Sequence, residues 1–166
     1  MILGNSGSGK STLARNMGEI LGIEPTHLDA LHWLPGWVES TTEDKKVKLM
    51  PVLERERWIV DGNYRNVFWQ ERLEDADTVI FIDVNRFACL YRAWRRSRIY
   101  TGKTRPDMGE GCTEKFDLEF ARWVLFDGRR NRKKYRELMK KLEDEGKNTY
   151  TFKSIKEINK FLEGLK

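Results

Sequence analysis

The sequence has little that would indicate a secreted or membrane-spanning protein. Among 166 residues there are two cysteines and four prolines. Cys89 and Cys112 lie in no CxxC motif and beside no pair of histidines, so we expect reduced thiols rather than a disulfide. No apolar run approaches the roughly 20 residues of a membrane-spanning helix. Met1–Leu3 runs into glycine without the apolar stretch of a signal peptide. These absences predict a cytoplasmic protein with no membrane partner.

The length and the aromatic content suit one compact domain over residues 1–166. Six Trp, eight Phe and five Tyr can supply much of a hydrophobic core. A chain of this length needs neither disulfides nor a structural metal to fold. No internal repeat, low-complexity segment or Gly/Ser-rich linker divides the sequence.

Positive charge is in excess and unevenly distributed. The chain has 31 Lys and Arg against 26 Asp and Glu, a net charge of +5. Residues 86–105 hold seven cations and no acid, and a second basic cluster spans residues 129–136. An anionic partner, either nucleotide phosphate or nucleic acid, would account for such clusters. A solvated helix face would equally account for the second one.

Short apolar runs alternate with longer helical patterns, which predicts βα units and a parallel sheet. Only Ile2 and Leu3 precede Gly4, so the first strand is either very short or continues before Met1. Further strands are expected at 26–28, 58–60, 78–82 and 148–152. Helices are expected at 11–21, 43–57 with a kink or division at Pro51, 66–73, 86–100, on both sides of Gly128, and 154–165. We therefore predict an α/β three-layer sandwich of about five parallel strands flanked by helices, with a small lid.

Residues 4–11, GNSGSGKS, match the pattern G-x-x-x-x-G-K-[ST] of a phosphate-binding loop. Glycines let backbone N–H groups approach phosphate oxygens, and the helix that follows directs its positive dipole end at them. Lys10 can reach the β- and γ-phosphates, and the Ser11 hydroxyl can bind Mg²⁺. The alternative is a glycine-rich turn that merely begins a helix. The predicted ATP-binding residues are Gly4, Asn5, Ser6, Gly7, Ser8, Gly9, Lys10, Ser11 and Thr12.

Three expected strands lead into an aspartate, namely Asp29, Asp61 and Asp83. In open α/β sheets, ligands bind at the carboxyl ends of the strands. Asp83 follows the apolar run 79–82, a Walker B pattern, so we predict that it holds Mg²⁺ together with Ser11. A role as helix cap is the alternative for Asp83.

The other two strand ends predict an acceptor site. Asp29 lies one βα unit after the phosphate-binding loop and would orient or deprotonate the acceptor. Asp61, Gly62 and Arg65 would contact the acceptor, with the glycine allowing a tight turn and the arginine forking onto an anionic group. Ordinary turns are the alternative in both places.

Two histidines and an aromatic segment surround Asp29. His27 and His32 are expected as neighbouring polar side chains of a substrate pocket rather than as a metal trio with Asp29. The segment 33–37, WLPGW, either walls the acceptor pocket or packs locally.

The basic stretch predicts the groups that neutralise charge during phosphoryl transfer. Arg92 and Arg96 lie four residues apart on one helical face. The following stretch, 101–112, contains three glycines and a proline, so a mobile lid that excludes water is expected over about residues 98–116. A plain basic surface is one alternative.

A nucleic-acid surface is the other alternative for this stretch, because Tyr91, Trp94 and Tyr100 are interleaved with arginines. Trp94 is, however, expected to pack inward, which weighs against base stacking. Nucleic acid is therefore the less favoured partner.

Three segments carry a family resemblance: WIVDGNYR (58–65), ADTVIFID (76–83) and GKTRPDMGEGC (102–112). With the loop, they make the chain resemble P-loop kinases of the adenylate kinase and nucleoside monophosphate kinase class. It is most similar to the bacterial FlaR-like group called DNA topology modulation proteins, over nearly its whole length. Adenylate kinases carry Phe-Pro where this chain has Asn63-Tyr64, and the lid lacks their usual sequence, so the acceptor is left open.

The resemblance implies ATP, Mg²⁺, an acceptor site near Asp61 and Arg65, and lid arginines at Arg92 and Arg96. The predicted function is transfer of the γ-phosphoryl group of MgATP to a small acceptor, a nucleotide or related metabolite. The expected catalytic residues are Lys10, Arg92, Arg96 and Asp29. The alternative is an ATP-binding, DNA-associated regulator without small-molecule kinase activity.

Overall fold

The computed structural model describes residues 1–166 as a parallel sheet covered by helices. The strands are β1 Ile2–Gly4, β2 Pro25–His27, β3 Trp33–Leu34, β4 Val38–Glu39, β5 Ile59–Asp61, β6 Thr78–Ile82 and β7 Asn148–Phe152. The helices are α1 Lys10–Leu21, α2 Leu28–His32, α3 Thr42–Leu53, α4 Trp69–Asp75, α5 Arg86–Ile99, α6 Leu118–Leu125, α7 Arg132–Asp144 and α8 Ile155–Glu163, with a 3-10 turn at Asp127–Arg129. None of these helices combines the length and apolar composition needed to cross a bilayer.

The main sheet has the strand order β2-β5-β1-β6-β7, and every pair is parallel. Strand β1 is central, because Ile2 is in register with Asp61 of β5 on one side and with Ile80 of β6 on the other. The predicted α/β architecture with five parallel strands and flanking helices is thus confirmed. The order places the loop after β1 between the ends of β5 and β6.

Side-chain alternation along the strands divides the core into two layers. On β6, Ile80 and Ile82 belong to a cluster with residues of α1 and α8, whereas Val79 and Phe81 belong to a cluster with residues of α4 and α7. Val60 of β5 packs in a third cluster with residues of α2 and α3. Strands buried on both faces explain why the sequence shows continuous apolar runs rather than alternation.

The helix predicted over residues 43–57 is shorter than expected. Helix α3 ends at Leu53, and Pro51 does not divide it. Pro51 lies in the last turn of the helix. Because proline lacks an N–H, it removes one backbone hydrogen bond near the end of the helix. The segment 33–39 forms an antiparallel hairpin of β3 and β4, in which Gly36 and Trp37 take positive φ values of 78° and 66°.

Candidate functional site

The loop between β1 and α1 has a shape that only glycine permits at its tip. Gly7 and Gly9 have φ values of 69° and 103°, in the left-handed region. A Cβ atom on Gly7 would lie 2.2 Å from the carbonyl oxygen of Cys89 in α5. The loop therefore requires glycine at these two positions or at its contact with Cys89, and it lies directly against α5.

Lys10, the first residue of α1, reaches back across this loop. Its Nζ donates to the carbonyl oxygen of Asn5 at 3.3 Å. Gly9, which precedes the helix, offers no side-chain acceptor to the first N–H groups of α1. An ammonium group and free helical N–H groups thus face the same space, an arrangement that favours an anion.

Asn63 ties the start of the loop to the end of β5, a role that the sequence did not reveal. Its Oδ1 accepts from the Gly4 N–H at 3.1 Å, and its Nδ2 donates to the Gly4 carbonyl at 2.7 Å. The fully buried Arg72 fixes the turn that carries Asn63, because it donates to the carbonyl oxygens of Gly62 and Val67 at 3.3 and 3.0 Å.

Asp61 is the acid beside the Ser11 hydroxyl. Its Oδ2 accepts from Ser11 Oγ at 2.9 Å, and its Oδ1 lies 2.6 Å from His27 Nδ1. The residue is only 3% exposed. Mg²⁺ prefers oxygen ligands and is usually held by one or two carboxylates together with substrate phosphates. The Ser11 hydroxyl and the Asp61 carboxylate therefore fit a magnesium ion.

The structure does not support the predicted pairing of Asp83 with Ser11. The Asp83 carboxylate accepts from Arg132 and from Arg136 Nε, the latter at 2.7 Å, and Arg129 lies 3.8 Å away. The 3-10 turn and α7 bring these guanidinium groups over the end of β6. The carboxylate is therefore directed at these three cations rather than at Ser11. This also accounts for three cations of the second basic cluster.

A cavity of about 280 Å³ lies over the loop, between α1, α5 and the lid segment. It brings Asp29 and the loop together with the predicted arginines Arg92 and Arg96. Most of its lining is polar, and cations outnumber acids, so it attracts phosphate groups. Its charged residues are Lys10, Arg15, Asp29, Arg92, Arg95, Arg96, Arg105 and Asp107.

The lid segment, residues 98–116, is folded down over this cavity. Gly36 of the β3–β4 turn donates to the Gly111 carbonyl at 3.3 Å, and Trp37 Nε1 donates to the Thr113 carbonyl at 2.9 Å. The Cys112 thiol, a free and buried thiol, donates to the Leu34 carbonyl at 3.2 Å. The WLPGW segment therefore packs against residues 111–113 of the predicted lid segment.

Asp107 of the predicted lid segment lines the cavity over the loop. Its carboxylate lies 3.6 Å from Arg15 of α1 and 3.4 Å from Arg105. Burial disfavours its charged form, but the nearby positive charges, Arg105 first and then Arg96, outweigh burial, so the pKa of Asp107 lies below its usual 3.8. The sequence did not reveal this residue, because polar residues in an aperiodic loop carry no pattern.

Asp29 faces the cavity with a defined partner. Its Oδ1 accepts from the Tyr64 hydroxyl at 2.7 Å. Burial, followed by the charge of Asp29, raises the pKa of Tyr64, so the phenol stays protonated and keeps donating.

His32 contacts the Tyr64 ring, and its Nδ1 lies 2.9 Å from Lys45 Nζ. Burial and the Lys45 charge lower the pKa of His32 below 6.5.

Arg65 does not reach the cavity, contrary to the prediction that it contacts an acceptor. It is exposed, and its guanidinium carbon lies 5.1 Å from the centroid of the Trp69 ring. The turn held by Arg72 places Trp69, the first residue of α4, under Arg65, where the pair gains a cation–π interaction. Gly62 is required for packing, because a Cβ there would lie 2.7 Å from Leu28.

Trp94 does not pack inward as expected, and 45% of its surface is exposed. The buried positions of α5 are Cys89, Ala93 and Ser97. Trp94 follows Ala93, which places it towards the solvent-facing side of the helix beside the exposed Tyr91, with ring centroids 6.0 Å apart. The outer face of α5 is therefore aromatic as well as basic.

No family model matches the chain, and no curated protein matches it. The assignment of this site therefore rests on its geometry.

Proposed function

We propose that the protein is an ATP-dependent P-loop kinase that transfers the γ-phosphoryl group of MgATP to a small acceptor. The observation that carries the proposal is the loop itself. Lys10 spans it to the Asn5 carbonyl, at the start of a helix, beneath a cavity rich in arginine. Phosphoryl transfer requires mainly positioning and neutralisation of charge, which these groups supply.

The proposed role of each residue follows from where it lies in the site. Backbone N–H groups of Gly7 and Gly9 and the Lys10 amine bind the phosphates. Ser11 and Asp61 would hold Mg²⁺, which neutralises phosphate charge when it is bound. Arg92 already donates to the Gly7 carbonyl at 2.8 Å, so its remaining N–H groups lie beside the phosphate position.

Asp29 is the residue that would receive the acceptor. Its carboxylate lines the cavity and is oriented by the Tyr64 hydroxyl. A carboxylate in this position can accept a hydrogen bond or a proton from an acceptor hydroxyl. The excess of cations in the cavity favours an anionic acceptor, such as a nucleotide or related metabolite.

The test is ADP production from MgATP across a panel of nucleotides and phosphorylated metabolites. One acceptor or a narrow class should stimulate turnover, and Lys10→Ala should reduce it by roughly 100-fold or more. Lys48→Ala, an exposed lysine on α3, is the matched control and should retain the activity. The proposal fails if no acceptor stimulates turnover and the wild-type protein binds no MgATP.

A second candidate is an ATP-binding regulator that associates with DNA. The observation that favours it is the exposed pair Tyr91 and Trp94 beside Arg95 and Arg98 on α5, since aromatic rings and arginines suit stacking on single strands. Binding to single-stranded DNA that weakens steeply with salt, with turnover stimulated by DNA alone, would favour this candidate over the kinase.

A further inference from the structure

Glu114 of the lid contacts two arginines that line the cavity. Its Oε1 lies 2.9 Å from Arg96 Nε, and its Oε2 lies 2.8 Å from Arg105 Nε. The Glu114 side chain is 2% exposed, and that of Arg105 is 6% exposed. Arg96 donates a hydrogen bond to Glu114 from Nε, so its terminal nitrogens remain available to a ligand. Arg105 is paired with Glu114 by charge, without an aligned hydrogen bond from its Nε.

The two guanidinium groups are close enough to affect each other. Burial, followed by the positive charge of Arg105, lowers the pKa of Arg96, and Glu114 opposes this shift. Like charges held near each other in a buried site repel unless a shared counter-charge lies between them. Glu114 is the counter-charge that both arginines share, with Asp107 as a second acid 3.4 Å from Arg105, and its hydrogen bond with Nε orients the Arg96 guanidinium.

The three residues come from different parts of the chain. Arg96 belongs to α5, whereas Arg105 and Glu114 belong to the lid. The pair of arginines is therefore formed where the lid segment packs against α5. Closure would then complete the set of charges around a phosphate group at the moment when water is excluded.

We propose that Glu114 is a positioning residue that aligns Arg96 and Arg105 as a pair on the γ-phosphate of bound ATP. The inference rests on the proposed function, because it requires ATP in the cavity. It goes beyond that function by assigning Arg105 to the phosphate and Glu114 to the orientation of both arginines.

If Glu114 only reduced the positive charge of the cavity, replacing it would have the opposite effect on ATP affinity. If Glu114 merely neutralised the arginines, Glu114→Gln would make the cavity more positive and tighten ATP binding. If Glu114 aligns the arginines, the same substitution releases them and weakens the contact with the γ-phosphate. The sign of the change in ATP affinity therefore separates the two roles.

The experiment is calorimetric titration of MgATP and MgADP into the wild-type protein, Glu114→Gln and Glu114→Asp. We expect roughly tenfold weaker binding of MgATP in both variants, with MgADP affinity changed less than about twofold. The aspartate variant keeps the charge but is one methylene too short to contact both arginines. Glu110→Gln removes an exposed acid from the same lid and should leave both affinities unchanged.

A substitution of Arg105 provides an independent test if the Glu114 variants fold poorly. Arg105→Lys keeps the charge but loses the planar fork, so it should also reduce MgATP affinity selectively. Unchanged or tighter MgATP binding in the Glu114 variants, or equal losses for MgATP and MgADP, overturns the inference while leaving the proposed function standing. Failure of the wild-type protein to bind MgATP overturns both.

Discussion

Asp61 and Asp83 look equivalent in the sequence but have different surroundings in the folded protein. Both terminate apolar strands that flank β1, and both are buried. Asp61 is bonded to a hydroxyl and an imidazole, which are weak partners that leave a carboxylate able to bind a cation. Asp83 faces three guanidinium groups and is already neutralised. The role of a strand-end acid is thus decided by what neighbouring elements bring to it.

The comparison is tested most directly by Asp61→Asn. The amide removes the negative charge beside Ser11, so we expect MgATP affinity to fall roughly 100-fold. The affinity for ATP in EDTA should change much less, because the loop and Lys10 remain. Calorimetric titration with and without Mg²⁺ measures both. Asp144→Asn, at an exposed site on α7, is the matched control.

Asp83→Asn should instead affect stability. It leaves three arginines without their counter-charge, but Arg132 and Arg136 are 38% and 49% exposed and keep part of their hydration. We therefore expect the free energy of unfolding to fall by about 2 kcal/mol, less than for a fully buried pair. Urea denaturation measures this, and MgATP affinity should stay within about threefold. A selective loss of Mg²⁺ dependence in this variant would reverse the assignment of the two aspartates.

Asn63→Ala tests whether the turn that follows Asp61 holds the loop between β1 and α1 in place. The change removes two hydrogen bonds to the Gly4 backbone, at about 0.5–1.5 kcal/mol each, so a loss of roughly 1–3 kcal/mol in unfolding free energy is expected. ATP affinity should fall with it, because the loop is less well ordered. Asn66→Ala, which removes only an exposed bond to Thr42, is the comparison. Equal losses of stability and ATP affinity in the two variants would argue against a role of Asn63 in holding the loop.

A pH series tests the surroundings of His32, which lies near Asp29. The pKa of folded His32 is lowered below 6.5, so the unfolded chain binds more protons just below that pH. The free energy of unfolding should therefore fall as pH drops through 6.5 towards the folded pKa, by less than about 1 kcal/mol because the site is partly hydrated. Urea denaturation between pH 7.5 and 5 should show this slope in the wild type and a shallower slope in His32→Gln. An unchanged slope would exclude His32 as its source.

Much of the fold and part of the site were predictable, because their signals are local. The GNSGSGKS loop requires glycine at its own tip, and the apolar run at 78–82 identifies a buried strand wherever it lies in the sheet. Arg92 and Arg96 share a helical face through their spacing alone. These features depend on residues within a few positions of one another.

Other predictions failed where long-range packing decides the outcome. Arg65 was expected at an acceptor, but the turn held by Arg72 places it over Trp69. Trp94 was expected inside, but the side of α5 that faces the core is occupied by small residues. The roles of Arg105, Asp107 and Glu114 depend on how a loop folds back, which no periodicity encodes.

The amino-acid sequence alone specified a glycine-dependent loop between β1 and α1, an α/β sheet and a basic helix, because backbone conformation and side-chain alternation are short-range properties. The three-dimensional packing decided which acid lies beside Ser11, which arginines face the cavity and which only neutralise Asp83. Ser11 and Asp61 are 50 residues apart in the chain. Their contact depends on the order of the strands, which arises only when the whole core is assembled.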